Sequence, residues 1–318
     1  MTRVLAIVVF TALLAATVPS RAAEPASFLR FLQAPGAAMI AYVPTGFDPR
    51  QPPSGAWPAE RIRADLAALR PAFDGLVLYD FRPDLTPAIL KEAAALGYRA
   101  VLLGIWDPRS QAEIAGVATL VARWRERMVL AIIIGNEGIN DNRYDIADLT
   151  RARDRLQALT GVDGTALPVS TSEPSGDYGW PPLLAFGDFL APNIHPAIDQ
   201  ANLASQEAVA WVHRRAEAIA RAAGRPVLVK ETGLPNGGAD GFSPPRQAAF
   251  WTAWLAAGRL LPVDPPRVFV SFAAAFEAFD APWKAEELRD PMEGRWGLMS
   301  VERRPYPAFD AWAAARPR

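Results

Sequence analysis

Apolar residues recur along this chain in two alternating rhythms. Short runs that are apolar on both faces read as strands: MIAYV (39–43), GLVLYDF (75–81), AVLLGIW (100–106), VLAIIIG (129–135), PVST (168–171), APNIH (191–195), VLVKE (227–231) and VFVSFAAAF (268–276). Between most of them lie amphipathic helical stretches: ERIRADLAALRPAF, AILKEAAALG, EIAGVATLVARWRERM, DIADLTRARDRLQAL, SQEAVAWVHRRAEAIARAAG and RQAAFWTAWLAAGRLL. Their Ala/Leu/Arg periodicity gives each one apolar face to lay on a sheet. Strands apolar on both sides and separated by helices are parallel strands covered on both faces. Eight such strands predict an α/β fold, a single-domain (β/α)8 TIM barrel, usually about 250 residues long. A doubly wound open sheet is the alternative. That fold often carries a glycine-rich phosphate loop after its first strand, whereas PTGFDP follows the first strand here.

The N-terminus has a different pattern. Arg3 precedes an uncharged run of 15 residues, VLAIVVFTALLAATV (4–18), and then PSRA places Ser20 and Ala22 at small positions. A spanning helix needs about 20 residues, so the run reads as a secretory signal peptide, residues 1–22, cleaved near Ala23. The barrel then occupies residues 23–318, expected in the periplasm or outside the cell, free of the membrane and monomeric. Loss of Arg3 and Arg21 leaves 31 basic against 34 acidic residues, a net charge of −3.

Composition narrows the chemistry. The 318-residue chain is 51% hydrophobic and 21% charged, enough to build a large core. Its charge is close to balanced and has no basic run, which argues against a nucleic-acid partner. It has no cysteine, so disulfides and thiolate chemistry are excluded. With His195 and His213 its only histidines, a transition-metal site is poorly supplied, and no metal or organic cofactor is expected. The chain has neither a G-x-S-x-G elbow nor a P-loop.

Two strands stand out by how they end. VLAIIIGNEGIN (129–140) runs from aliphatic residues into Asn136 and Glu137, and PVLVKETGLPNGG (226–238) runs from aliphatic residues into Lys230 and Glu231. In a barrel, active sites sit at the C-terminal strand ends. The two glutamates end the fourth and seventh strands, on facing sides of one cavity. Two carboxylates across a cleft are the equipment for glycoside hydrolysis: one held protonated to donate to the leaving oxygen, the other ionised.

These residues carry a resemblance. GNE (135–137), ETGLP (231–235), FEAFDAPWK (276–284) and EGRWGL (293–298) resemble, in family order, the motifs of glycoside hydrolase family 17, the β-1,3-glucanases and β-glucan transglucosylases. YD (79–80), LGIW (103–106) and STSEP (170–174) fit as well. The resemblance implies a retaining barrel enzyme acting on β-glucan by double displacement, with Glu137 as acid/base and Glu231 as nucleophile. Asn136 is the candidate to bind the sugar hydroxyl beside the reacting carbon. Hydrolysis and transglycosylation both remain open, and a non-catalytic glucan-binding barrel is the alternative from another class. The chain departs from the family pattern at Leu234, usually Trp; at Ala281, often acidic or amide; and at His195, often Tyr.

Sugar sites need flat apolar faces ringed by polar groups. Tyr79, Trp106, Tyr178, Trp180, Trp283 and Trp296 are expected on the active face, with Asp80, His195, Phe276 and Lys284 among the substrate-binding groups. Glu173 is the rival acid, and Glu277 and Asp280 are further charges near the cavity. Trp124, Trp211, Trp251, Trp254 and Trp312 fall inside helical patterns and read as packing. His213, in the charged stretch VHRRAEA, reads as a surface residue.

Overall fold

The computed structural model describes residues 28–51, 57–163, 166–200, 203–265 and 267–316. The proposed signal peptide lies outside them. Parallel strands β1 (Met39–Ala41), β2 (Gly75–Val77), β3 (Ala100–Ile105), β4 (Val129–Asn136) and β5 (Val169–Ser172) pair in sequence order. The sixth stave, around residues 190–193, is joined by isolated parallel bridges, Pro174 to Asn193 on one side and Leu190 to Val227 on the other. β6 (Val227–Leu228) pairs with β8 (Val268–Ser271), and β9 (Ala274–Ala275), the continuation of the same run, pairs with β1. The ring is therefore an eight-stave barrel, as the alternating pattern predicts.

The strands are apolar throughout because side chains of both orientations are covered. Every residue of β3 is buried, and β4 is buried from Leu130 to Gly135. Helices Ala59–Leu69, Thr86–Ala95, Gln111–Trp124, Ile146–Thr160, Ser205–Ala223 and Pro244–Ala257 match the six predicted stretches. Their ends follow local chemistry. Ser110 accepts from Glu113 N, Asp145 and Asp148 form a capping box, and Gly161 and Gly224 close their helices in the left-handed conformation. Trp251, Trp254 and Trp312 are fully buried between the last helices and the barrel, as expected, and Trp124 packs similarly.

Two expectations are corrected. The helix expected to run through Leu261 ends at Ala257, where Gly258 takes φ 91° and turns the chain. Leu260–Asp264 then forms β7, antiparallel to β8 on its open edge, where Pro262 can be tolerated. His213 is not a surface side chain. Its ring stacks on Phe272 at 3.8 Å and meets Trp254 edge-on at 5.1 Å, because its helix turns that face onto β8. Burial lowers its pKa to about 4.

Candidate active site

At the end of β4 the backbone twists. Gly135 has φ 78°, and a Cβ there would lie 2.1 Å from the Tyr144 hydroxyl. Glu137 itself has φ 54°, a left-handed conformation costing a glutamate roughly 1 kcal/mol or more. Two contacts hold the turn: Glu137 N donates to Ser172 O at 2.7 Å, and Gly138 N to the Tyr144 hydroxyl at 3.0 Å. Across the barrel, Glu231 continues the β6 run and bridges in parallel to Asn193.

A hydrogen-bonded chain joins the two glutamates. Asn193 Nδ2 donates to Glu137 Oε1 at 2.7 Å and lies 3.3 Å from Asn136 Oδ1. Lys230 Nζ donates to Asn136 Oδ1 at 2.8 Å and pairs with Glu231 Oε1. His195 Nε2 lies 3.4 Å from Glu231 Oε2. Ser172 Oγ fixes Asn193 by donating to its Oδ1 at 2.8 Å.

This arrangement drives the two carboxyls apart in acidity. Burial, then the charge of Glu231, raises the pKa of Glu137, opposed by Asn193, His195 and Lys230. Burial would raise Glu231 too, but the Lys230 ammonium and His195 outweigh it and hold this carboxyl well below the usual range. One carboxyl is pushed toward its acid form and the other toward its anion, the direction of division that acid-and-nucleophile catalysis requires.

Most of the remaining expected residues lie around this pair. The Tyr79 ring stands 4.7 Å from Lys230 Nζ. Lys284 Nζ binds Glu277 Oε2 at 2.6 Å and lies over the Phe276 ring at 4.7 Å. Trp106, 41% exposed, is backed by the Arg143 guanidinium at 4.5 Å. Beside Glu277 opens a cavity of about 440 Å³ lined by Phe47, Asp48, Arg50, Trp283 and Glu286. Glu277, the partner of Lys284, lines it as well. Burial raises the pKa of Asp80 to about 6, and the largest charge acting on it is that of Arg82.

Three aromatic or acidic expectations change. Trp296 is 1% exposed and packs under His195 and Phe276, so it supports the cleft from behind. Tyr178 is buried in the turn Ser175–Gly179, with its hydroxyl bonded to Thr171 O at 3.3 Å, and packs instead of stacking on sugar. Glu173 is fully buried and accepts from Ile139 N and Asn140 N at 3.1 and 3.2 Å. Burial raises its pKa to about 7, but its oxygens face the loop behind Glu137, where they hold that loop in place. Sequence reading also passed over Asn193 and gave Lys230 no role. Their signal is a polar side chain inside an otherwise apolar strand run.

A barrel with two glutamates at its strand ends is the arrangement of glycoside hydrolases. The sequence profile of the BtgE/BtgC glycoside hydrolase domain matches residues 40–297, and the chain belongs to that family. A probable glucan endo-1,3-β-glucosidase, btgC, of Aspergillus clavatus is 23% identical over 283 residues, covering 80% of this chain and 39% of its own. The chain thus spans about two fifths of the length of the curated relatives it matches. Among solved structures, an active-site mutant of the Rhizomucor miehei β-1,3-glucanosyltransferase, in complex with laminaritriose, shares the fold. Its TM-score is 0.66 at 19% identity, covering 86% of this chain and 96% of that one. An endo-laminarinase from Formosa Hel1_33_131 does so with a TM-score of 0.67 at 18% identity, covering 86% of each chain. Another structural neighbour, a β-1,3-glucanosyltransferase from Rhizomucor miehei, carries the glycoside hydrolase family 17 name that the motifs suggested.

Proposed function

We propose that this protein is a retaining β-1,3-glucan-active enzyme, a glucanase or glucan transglucosylase. The observation that carries the reading is the single hydrogen-bonded chain that joins Glu137 to Glu231 through Asn193, Asn136 and Lys230, whose charges push the two carboxyls apart in acidity. Glu231 attacks the anomeric carbon while Glu137 protonates the departing oxygen. Glu137 then takes a proton from water or from an acceptor sugar, and the glycosyl–enzyme bond breaks. Asn136 Oδ1 is occupied by Lys230 and Asn193, which leaves its NH2 for the sugar hydroxyl beside the reacting carbon. The resemblance in the motifs and the curated relatives named as glucan endo-1,3-β-glucosidases support the substrate class. The apolar run 4–18, followed by small residues, supports export to the periplasm or beyond, where N-terminal sequencing should find a chain beginning near Ala23.

Incubation with laminari-oligosaccharides and mass analysis of the products tests the reading. Shorter products mean hydrolysis and longer ones transfer. No product would favour the non-catalytic barrel. Proton NMR of the first products should show the β anomer rising first, because double displacement retains configuration. An initial α anomer would remove Glu231 from the nucleophile's role.

A further inference from the structure

Lys230 stands where the strand pattern calls for an apolar residue, and its side chain is 1% exposed. Its ammonium has three neighbours: Glu231 Oε1, Asn136 Oδ1 at 2.8 Å, and the face of the Tyr79 ring at 4.7 Å. The other lysine of the site, Lys284, binds Glu277. Lys230 is thus the ammonium paired with the proposed nucleophile itself.

We infer that Lys230 is a positioning residue for the second half of the reaction. It grips Oε1 so that Oε2 forms the bond to sugar, and it speeds the breakdown of the glycosyl–Glu231 ester. The inference rests on the double-displacement reading. Oε2 is the freer oxygen, since His195 Nε2 stands off at 3.4 Å. In the first step the Glu231 anion is spent on the C1–Oε2 bond, and the ion pair with Lys230 opposes that loss. In the second, water oxygen attacks C1 and its proton passes to Glu137. The C1–Oε2 bond breaks, and its electron pair returns to the Glu231 carboxylate, beside the Lys230 cation. A fixed cation favours whichever state has charge on Glu231, so it raises the barrier into the ester and lowers the barrier out. While the ester stands, Asn136 Oδ1 and the Tyr79 ring still face the ammonium and spare it complete isolation.

Rapid-mixing kinetics with a dinitrophenyl β-laminaribioside, followed by intact-mass analysis of quenched enzyme, test this. Wild type should release dinitrophenolate without a burst and carry little glycosylated protein. Lys230→Met should show a burst approaching one equivalent, accumulate glycosylated enzyme and turn over roughly ten- to a hundredfold more slowly. Lys230→Arg, which keeps the charge, should regain most of the rate. A stoichiometric burst in wild type overturns the inference, and this arm holds even where Lys230→Met does not fold. So does a slowed Lys230→Met that accumulates no ester, because a purely structural role predicts that result. Failure of the underlying reading looks different. Wild type would then neither turn over nor become labelled on Glu231 by a laminaribiosyl fluoride bearing fluorine next to the anomeric carbon, which removes both claims.

Discussion

Asp65 and Glu137 are both carboxylates sunk into the same barrel, and their surroundings could hardly be more different. Asp65 Oδ1 accepts from Thr45 Oγ1 at 2.9 Å and Arg303 Nε at 2.7 Å. Its Oδ2 accepts from the Tyr42 hydroxyl at 3.0 Å and Thr45 N at 2.9 Å. Helix Ala59–Leu69, the loop after β1 and the segment at Arg303 are thereby tied together. Glu137 accepts one side-chain hydrogen bond, from Asn193, and sits beside a second carboxylate. A fully satisfied buried charge holds structure, whereas an under-satisfied one next to a like charge is kept ready to exchange a proton. That contrast separates scaffold from site in this molecule better than burial does, since both residues are largely covered.

The contrast is broken most severely by removing the anion of the pair. Glu231→Ala should lower kcat on laminari-oligosaccharides by roughly 10³-fold or more, as for other lost nucleophiles. Near-normal turnover would rule out the covalent route. Glu137→Ala should lose roughly 10²–10⁴-fold on natural glucan, the range for general acid catalysis. It should lose far less in the glycosylation step with a dinitrophenyl glycoside, whose leaving group needs little protonation. Equal losses on both substrates would show that Glu137 is not the acid. Because Glu137 is under-satisfied, Glu137→Ala should leave the melting temperature nearly unchanged, whereas Glu231→Ala strands the buried Lys230 ammonium without its carboxylate and should lower it.

Asp65→Ala inverts this pattern. It strips four donors of their acceptor, and the Arg303 side chain is only 29% exposed. The expected cost is about 3 kcal/mol of stability, read by denaturant unfolding, with kcat on the folded enzyme little changed. A catalytic loss without destabilisation would mean that the Asp65 network is part of the site.

Much of this was legible before any coordinates, and the reason is energetic. An aliphatic run buried on both faces is a strong signal, and a carboxylate placed at its end is costly enough to require a purpose. Glu137 and Glu231 therefore show through the sequence, as do the eight staves. What was hidden depends on direction rather than identity. Trp296 and Tyr178 follow strand ends, as Trp106 does, but turn inward, and nothing in their neighbours' letters says which way a loop folds. His213 lies among charged residues along the chain yet faces Phe272 in space. Asn193 reads as a turn residue in a run that barely forms a strand; only the bridges to Pro174 and Glu231 place it between the two glutamates.

Asn193 also gives the finest test of the contrast, because it is the donor that partly satisfies Glu137. Its Nδ2 stabilises the ionised form of Glu137 and so pulls its pKa down against burial and Glu231. Asn193→Ala removes that support, and the pKa of Glu137 must rise further. In the proposed mechanism the acid form is the active one in the first step, so the alkaline limb of kcat/KM, which reports the free enzyme, should move to higher pH. The acid limb belongs to Glu231, which Lys230 and His195 hold ionised, and it should stay where it is. The rate at the optimum should fall modestly, since Asn136 loses a neighbour as well. A pH–rate profile of the variant against wild type decides the matter. An alkaline limb that stays fixed or moves down would mean that the proton lost there is not carried by Glu137.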